Sequence, residues 1–530
     1  MSDTRKNVGI VVGEANPTEF YFVAHPESPP SRWEYVLVKI QEEVGGELQD
    51  VELLAQVENI YSASEALRAE EDLEALRKIV EADIGDVRLW GRARVLGYLQ
   101  GSKLVQPRRS IKPGQAVYIA DRGFLEGFYS FPEDESLFIG GLITRPEVKV
   151  ALSLKGFRRH LAILAQTGAG KSYCAGVLIE ELLEKGGTVV VIDPHADYVL
   201  MGINREGEPH ELSGRITVFR NPSSSARHDV RGAHIRTYEI AFRDLLDDEI
   251  FEIADVSERY TQIMDVIRKA LDVLRERGNN YTPKDLLSEL ERIASDEEEK
   301  RENRIGATRA MRYVRKLLSL TVFGQRTTPT RELLVPMHAS IVDLSGLNDR
   351  SLDYIASKIL NDVYSLVVSG EYEYPVFLFV EEAHKFIPPK RERTTLASEI
   401  IKKIAAEGRK FGIFLVLITQ RPSRIDEDAL SQCNSQIIMR LTNPRDQEAV
   451  RNSSERMSED LLRDLPGLNV GDAVIVGEVV KAPVMVRIRE RRTMEGGSDI
   501  DVVEKLRRAR EEVGRARNSA KSIGEMYGYG

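Results

Sequence analysis

The amino-acid sequence predicts an α/β protein: a parallel-type central sheet carrying a phosphate-binding loop, preceded by a small N-terminal β-barrel, interrupted by a helical-bundle insert and followed by a C-terminal helical tail. Three observations lead there. From about residue 150, apolar runs of strand length alternate with helical periods, the pattern of a parallel sheet flanked by helices. The first 150 residues instead hold short β-branched and aromatic runs punctuated by Gly and Pro. The segment LAILAQTGAGKS, from Leu161 to Ser172, sets a glycine-rich loop between an apolar strand and an amphipathic helix.

The bulk numbers agree with a multidomain globular chain. There are 530 residues, enough for two to four domains, and 42% of them are hydrophobic. The longest apolar runs, VVVID near Val189 and IFLVLIT from Ile413, are far shorter than the roughly 18 residues needed to cross a bilayer. MSDTRKN at the start lacks the apolar segment of a signal peptide. A cytoplasmic protein with no membrane association is expected. Two cysteines, Cys174 and Cys433, give no disulfide framework. A net charge of −10 argues against a protein coated in nucleic acid but leaves room for a local basic channel. Basic clusters at Arg108–Arg109, Arg158–Arg159, Lys390–Arg393 and Arg489–Arg492 each read, taken alone, as solvated faces.

In the barrel region the strand-like runs begin at Val8, Phe20, Tyr35 and Leu89, while residues 61–82 carry Leu67, Leu73, Leu76 and Ile79 at helical spacing. Core strands are expected at 161–166, 188–193, 338–343, 375–381, 412–419, 435–441 and 472–477. Between the second and third lies a charged, helically periodic stretch split near GNNYTP, read as a bundle packed on the sheet. The chain thus divides into a barrel over 1–150, a nucleotide-binding core over 151–237 and 323–490, a helical insert over 238–322 and an extension over 491–530.

The phosphate loop carries the first chemistry. Gly168 and Gly170 let backbone N–H groups wrap phosphates, and the following helix points its positive end at them. Gln166, Thr167, Gly168, Ala169, Gly170, Lys171, Ser172 and Tyr173 are expected against the nucleotide, Lys171 on the β- and γ-phosphates and the Ser172 hydroxyl on magnesium. Ala165 stands where the strict motif has Gly. The second element is VFLFVEEAH, a buried strand ending in two acids, which places carboxylates at the carboxyl edge of the sheet where ligands bind. Glu381 would hold magnesium and Glu382 would polarise the attacking water. Third, Gln420 ends the apolar strand FGIFLVLIT and could sense the γ-phosphate, or be a turn residue. Fourth, Asp193 and His195 end the strand VVVIDPH at the same edge, either as a structural turn or in positioning water or coupling to the pore; with eight histidines and no Cys/His cluster of ligand spacing, a zinc site is not expected.

AQTGAGKS, VVVIDPHADY, FLFVEEAHKF, AAEGRKFG, ITQRPSRIDEDALSQCNSQIIMRL and the β-rich region before them resemble the archaeal HerA ATPases of the HerA–FtsK group, from the barrel to about residue 490. The resemblance implies a RecA-like motor core, a barrel like that of ATP synthase subunits and a homohexameric ring around double-stranded DNA. It also implies ATP and Mg2+ as cofactors, DNA helicase or translocase activity in double-strand-break end resection, and a NurA-type nuclease as partner. A ring gives a reason to seek an arginine acting in trans on the γ-phosphate. Arg409 in AAEGRKFG matches the family position best; Arg159 is the second candidate, with Arg421 and Arg440 behind them. Basic loops with Lys390, Arg391 and Arg393, and with Arg227 and Arg231, are the candidates for DNA phosphate contact. Two further readings stay open: a docking motor of a conjugation or secretion system, and a nucleotide-gated DNA clamp or scaffold.

Overall fold

The computed structural model describes residues 5–67, 72–82, 87–224, 233–278, 280–454, 456–497 and 502–513. The N-terminal strands are β1 (Asn7–Ala15), β2 (Glu19–Ala24), β3 (Tyr35–Val44), β4 (Glu47–Ser64), β5 (Val87–Gln100), β6 (Lys103–Val105) and β7 (Ala116–Ile119). All but β6 close into a barrel in the order β2-β1-β7-β3-β4-β5 and back to β2; β6 hairpins onto β5. Closure leaves no unpaired edge. Val8, Phe20, Phe22, Val36, Leu53 and Val117, alternating inward along their strands, fill the interior. Of the helix expected over 61–82, the described residues show Leu73–Glu81, which buries no residue. Residues 61–64 extend β4 instead, because Tyr61 pairs across the ladder with Trp90 and their rings stack 5.5 Å apart.

The second sheet contains β8 (Ser136–Leu142), β9 (Lys149–Ser153), β10 (Leu161–Leu164), β11 (Thr188–Asp193), β12 (Ile216–Arg220) and β13 (His234–Thr237). After a separate two-stranded pair, β14 (Ile240–Ala241) with β15 (Phe323–Gly324), it continues with β16 (Ala339–Asp343), β17 (Val376–Val380), β18 (Ile413–Thr419), β19 (Ser435–Ile438), β20 (Asp472–Val476) and β21 (Val484–Ile488). The order β13-β12-β16-β11-β17-β18-β10-β19 is parallel throughout, and β19-β20-β21-β8-β9 continues it antiparallel. Every residue of β10, β11, β16 and β17 is buried, as a sheet covered on both faces requires. The expected barrel boundary at 150 falls too late: β8 and β9 already belong to this sheet, because β8 finds its partner in β21. An antiparallel partner more than three hundred residues away leaves no local trace.

The insert forms helices Asp247–Ala254, Thr261–Glu276, Pro283–Ser295 and Arg301–Leu317. Its two ends meet in the β14–β15 pair, and its apolar faces pack into one hydrophobic cluster with the core. At the GNNYTP break, Thr282 donates its N–H to Asp285 at 2.8 Å and Pro283 starts the next helix, a normal N-terminal stop-and-start signal. Barrel and core are joined by Arg32 and Trp33 on Asp464 (indole N to carboxylate 2.7 Å) and by Arg92 on Asp460 at 2.5 Å. Residues 502–513 are helical and exposed.

Candidate functional site

The phosphate loop leaves the sheet at the carboxyl end of β10 and turns into the helix Lys171–Glu184. Gly168 (φ +74°) and Gly170 (φ +101°) take the left-handed conformations that make the turn. Ala165 is buried with an ordinary φ, so its methyl group is accommodated. The loop is tethered on three sides: Ala165 N–H to Thr419 O (3.2 Å), Gln166 N–H to Arg440 O (2.9 Å) and Gly471 N–H to Ala169 O (3.2 Å). Gln166 also accepts from Thr442 Oγ1 at 2.8 Å, and Thr167 donates its hydroxyl to Gln420 Oε1. Gln420 therefore sits across the loop, at the end of the strand that pairs with β10. Tyr173 faces elsewhere: its hydroxyl accepts from the N–H of Arg491 at 2.6 Å.

The two acids follow β17, one strand removed from β10 with β18 between them. Glu381 is fully buried, and Lys171 pairs with its Oε1; Glu382 Oε1 stands 3.7 Å from the same ammonium. The other oxygen of Glu381 accepts from the Tyr198 hydroxyl at 2.7 Å. Glu382 adopts φ +52°, a strained conformation for a residue with a side chain. Burial alone would raise its carboxyl pKa, but the nearby His384 imidazole and the charge of Lys171 bring it below the ordinary value. The acid is thus ionised, as a water-polarising group requires. No donor is aligned on Glu382 Oε2, although His384 Nδ1 lies 3.2 Å away; that nitrogen bonds Thr419 Oγ1 at 3.0 Å.

The β11 loop completes this edge. Ser172 donates to Asp197 Oδ2 at 2.6 Å. Asp193 accepts the N–H groups of His195 (3.3 Å), Asp197 (3.1 Å) and Tyr198 (3.0 Å) and so shapes the loop. Burial, then the neighbouring Asp197, push the Asp193 carboxyl up to about 7. His195 is exposed, its imidazole pKa lowered first by desolvation and then by Lys385. Among the described residues there is no cluster of three or more His, Cys, Asp and Glu that could hold a metal by itself. The Ser172 hydroxyl with the Glu381 and Asp197 carboxylates is instead the hard-oxygen set that suits magnesium arriving with a nucleotide's phosphates.

This geometry meets a match in sequence. The family described as the central domain of helicase HerA matches residues 137–363, and the HAS barrel domain matches residues 8–101. The DNA double-strand break repair helicase HerA of Pyrococcus furiosus is 32% identical over 94% of this chain and 96% of its own length. The chain belongs to the HerA helicase family. A probable DNA double-strand break repair helicase HerA of Methanocaldococcus jannaschii is 33% identical over 80% of this chain and 90% of its own. Among solved structures, VirB4 of Thermoanaerobacter pseudethanolicus covers 68% of this chain and 98% of its own at a TM-score of 0.49 and 15% identity. As a HerA-family member the chain is an ATP-hydrolysing helicase.

In this HerA-family chain the two leading arginine candidates lie at the opposite edge of the sheet, whereas Arg421 and Arg440 follow β18 and β19 at the carboxyl edge. Arg409 is exposed in a short turn, Gly408–Lys410, just before β18, and Arg159 precedes β10, 3.6 Å from Glu478. β18 runs seven residues from Ile413 to Thr419, roughly 20 Å at 3.3 Å per residue, so Arg409 is out of reach of its own Lys171. Lys390, Arg391 and Arg393 are exposed on the loop after the acid pair, with Arg393 donating to Lys385 O at 2.7 Å. Arg227 and Arg231 lie outside the described residues.

Two expectations change. The Arg489–Arg492 cluster is no solvated face, and the extension does not begin at 491. Arg491 is 1% exposed, and Arg489 and Arg492 pair with the buried Glu180 at 2.9 and 3.5 Å. A buried acid on the phosphate-loop helix drew these arginines inward. Asp197, Tyr198 and His384, to which the sequence assigns no role, touch Ser172, Glu381 and Glu382. The only signal for them was adjacency to the motifs, in DPHADY and EEAH.

Proposed function

We propose that this chain is an ATP-driven translocase acting on double-stranded DNA as a homohexameric ring, feeding ends to a NurA-type nuclease during double-strand-break resection in the cytoplasm. The observation that carries the reading is the division of one catalytic set between two edges of one sheet. Lys171, Ser172, Glu381, Glu382 and Gln420 gather at the carboxyl edge, while Arg409 and Arg159 stand at the amino edge. A head-to-tail neighbour would bring Arg409 or Arg159 to the first set. Among the described residues no helix is long and apolar enough to cross a membrane.

In this reading ATP lies along the loop formed by Gln166, Thr167, Gly168, Ala169 and Gly170, with Tyr173 behind it. Lys171 exchanges Glu381 for the β- and γ-phosphates, and Ser172 and Glu381 become available to magnesium. Magnesium, when bound, would offset phosphate charge. Glu382, ionised and with one oxygen lacking an aligned donor, orients the attacking water and receives its proton. Gln420, hydrogen-bonded to Thr167, reports the loss of the terminal phosphate to β18. Arg409 of the adjacent subunit, or Arg159, stabilises charge on the leaving γ-phosphate, an effect of about 10³–10⁵ in rate where measured in related chemistry. Asp193 and His195 link the loop after β11 to this cycle, and Lys390, Arg391 and Arg393, with Arg227 and Arg231, grip DNA phosphates without reading sequence.

The test is DNA-stimulated ATP hydrolysis by the wild type and by Glu382→Gln. The variant is expected to bind ATP and DNA but lose about 10²–10⁴-fold in turnover. A wild type whose hydrolysis ignores duplex DNA, together with a variant of equal rate, would overturn the reading.

A further inference from the structure

The phosphate-loop serine and the first acid of the pair are both engaged by the loop after β11, at residues to which the proposed cycle gives no role. Ser172 Oγ donates to Asp197 Oδ2 at 2.6 Å, and the next residue, Tyr198, donates its hydroxyl to Glu381 Oε2 at 2.7 Å. Asp197 is partly exposed, so its carboxylate can be reached by solvent and ions, whereas Tyr198 is fully buried.

The placement of Asp197 is built from both directions. Its N–H is bound by Asp193 Oδ1 at 3.1 Å, and its carbonyl accepts from Gly496 N–H at 2.9 Å. Gly496 and Gly497 pass so close that a Cβ on Gly496 would overlap Ala196 O, and one on Gly497 would overlap the Asp197 carboxylate. The strap holding these glycines is anchored on the phosphate-loop helix. Glu180 accepts the N–H groups of Arg492 (2.9 Å) and Thr493 (2.8 Å), and the Arg491 guanidinium lies against Gly176 and 6.0 Å from the centre of the Tyr198 ring. A carboxylate held this firmly, against the one hydroxyl expected on a cation, is more than a loop ornament. Solvated surface acids are not usually wedged by two glycines and a buried arginine.

We propose that Asp197 is a positioning residue of the cation–nucleotide site: it accepts the Ser172 hydroxyl hydrogen, turns that oxygen's lone pair to the cation and adds a negative charge beside it, with the strap at 491–497 setting its place. The ligand class is a divalent cation chelated by a nucleoside triphosphate. The inference rests on the nucleotide site proposed above. Outer groups that orient metal-binding atoms typically change metal affinity about 10–100-fold when removed.

The experiment measures nucleotide affinity of the full-length protein with a fluorescent ATP analogue, once with magnesium and once with a chelator. It compares wild type, Asp197→Asn and Gly497→Ala. Asp197→Asn keeps an acceptor for Ser172 but drops the charge; Gly497→Ala displaces the carboxylate without touching its chemistry. Both variants are expected to lose about tenfold or more in affinity for the magnesium complex while the metal-free affinity stays within about twofold of wild type. Manganese titrations followed by electron paramagnetic resonance, in the presence of a non-hydrolysable analogue, should show the same weakening. Equal losses with and without metal would make Asp197 a fold residue and overturn the proposal, as would unchanged magnesium-dependent affinity in a folded Asp197→Asn. A wild type that binds no nucleotide under either condition overturns the proposal and the function reading together, whereas normal wild-type binding with insensitive variants defeats the proposal alone.

Discussion

Lys171 and Glu381 form a buried pair that ATP must reorganise, and burial makes such a pair costly to break from one side only. Removing one partner of a buried ion pair leaves an uncompensated charge. Lys171→Ala should therefore weaken the fold as well as the site, because it strands the fully buried Glu381, whereas Glu381→Gln leaves Lys171 the Glu382 carboxylate 3.7 Å away. A different residue makes the pH prediction. His160, 1% exposed, accepts the Leu415 N–H at Nδ1 (3.0 Å) and bonds Ala405 O through Nε2 (3.1 Å), so it is held neutral. Burial lowers its pKa from 6.5 to about 4, with the Arg409 charge adding to the effect. Between those values the unfolded chain binds the extra proton, so stability is full above about pH 6.5 and is lost as pH falls toward about 4. The window is on the order of 3 kcal/mol at most. Denaturant midpoints recorded between about pH 4 and 7 should slope in the wild type and flatten in His160→Gln.

The elements that could be read from sequence were those whose signal is local. The phosphate loop announces itself because strand, turn glycines and helix are contiguous, and β17 because five apolar residues end in two acids. The β8–β9 hairpin and the Arg489–Gly497 strap could not be read that way, since their meaning lies in partners hundreds of residues away: β21 for the first, Glu180 for the second. Arg491 illustrates the failure. Four consecutive residues with three arginines suggest solvent, yet Glu180 inside the helix attracts two of them and the third is enclosed. Gly176 makes room for it, since a Cβ there would stand 2.5 Å from the Arg491 Cζ. Helix propensity alone would make Gly176→Ala stabilising by about 1 kcal/mol. Overpacking against an enclosed guanidinium costs about 1–3 kcal/mol, so a net loss in denaturant midpoint is expected. On an Arg491→Ala background the same substitution should turn stabilising; additive effects would show that the two side chains do not meet.

At the scale of the whole molecule, the sheet is a two-ended object. Its carboxyl edge gathers Lys171, Glu381, Glu382 and Gln420, and its amino edge presents Arg409 and Arg159. The ring reading makes this a test of subunit mixing. Lys171→Ala and Arg409→Ala should each be inactive alone. Mixed in equal amounts they should recover a measurable fraction of DNA-stimulated hydrolysis, because some interfaces join an intact loop to an intact arginine. Absence of recovery in rings shown by native mass spectrometry to contain both variants would remove Arg409 from the trans role and leave Arg159 to be tried in the same way.

The strap has a last consequence, in time and not in space. The phosphate loop begins at residue 165, but the wall behind Asp197 is not made until residue 497. At roughly 5–20 residues per second, a growing chain carries its finished barrel and an open nucleotide loop for on the order of tens of seconds before Gly496 reaches Asp197. The closing strand β21 arrives in the same interval to join β8. Until then a nascent chain lacks the wall that holds Asp197 beside Ser172.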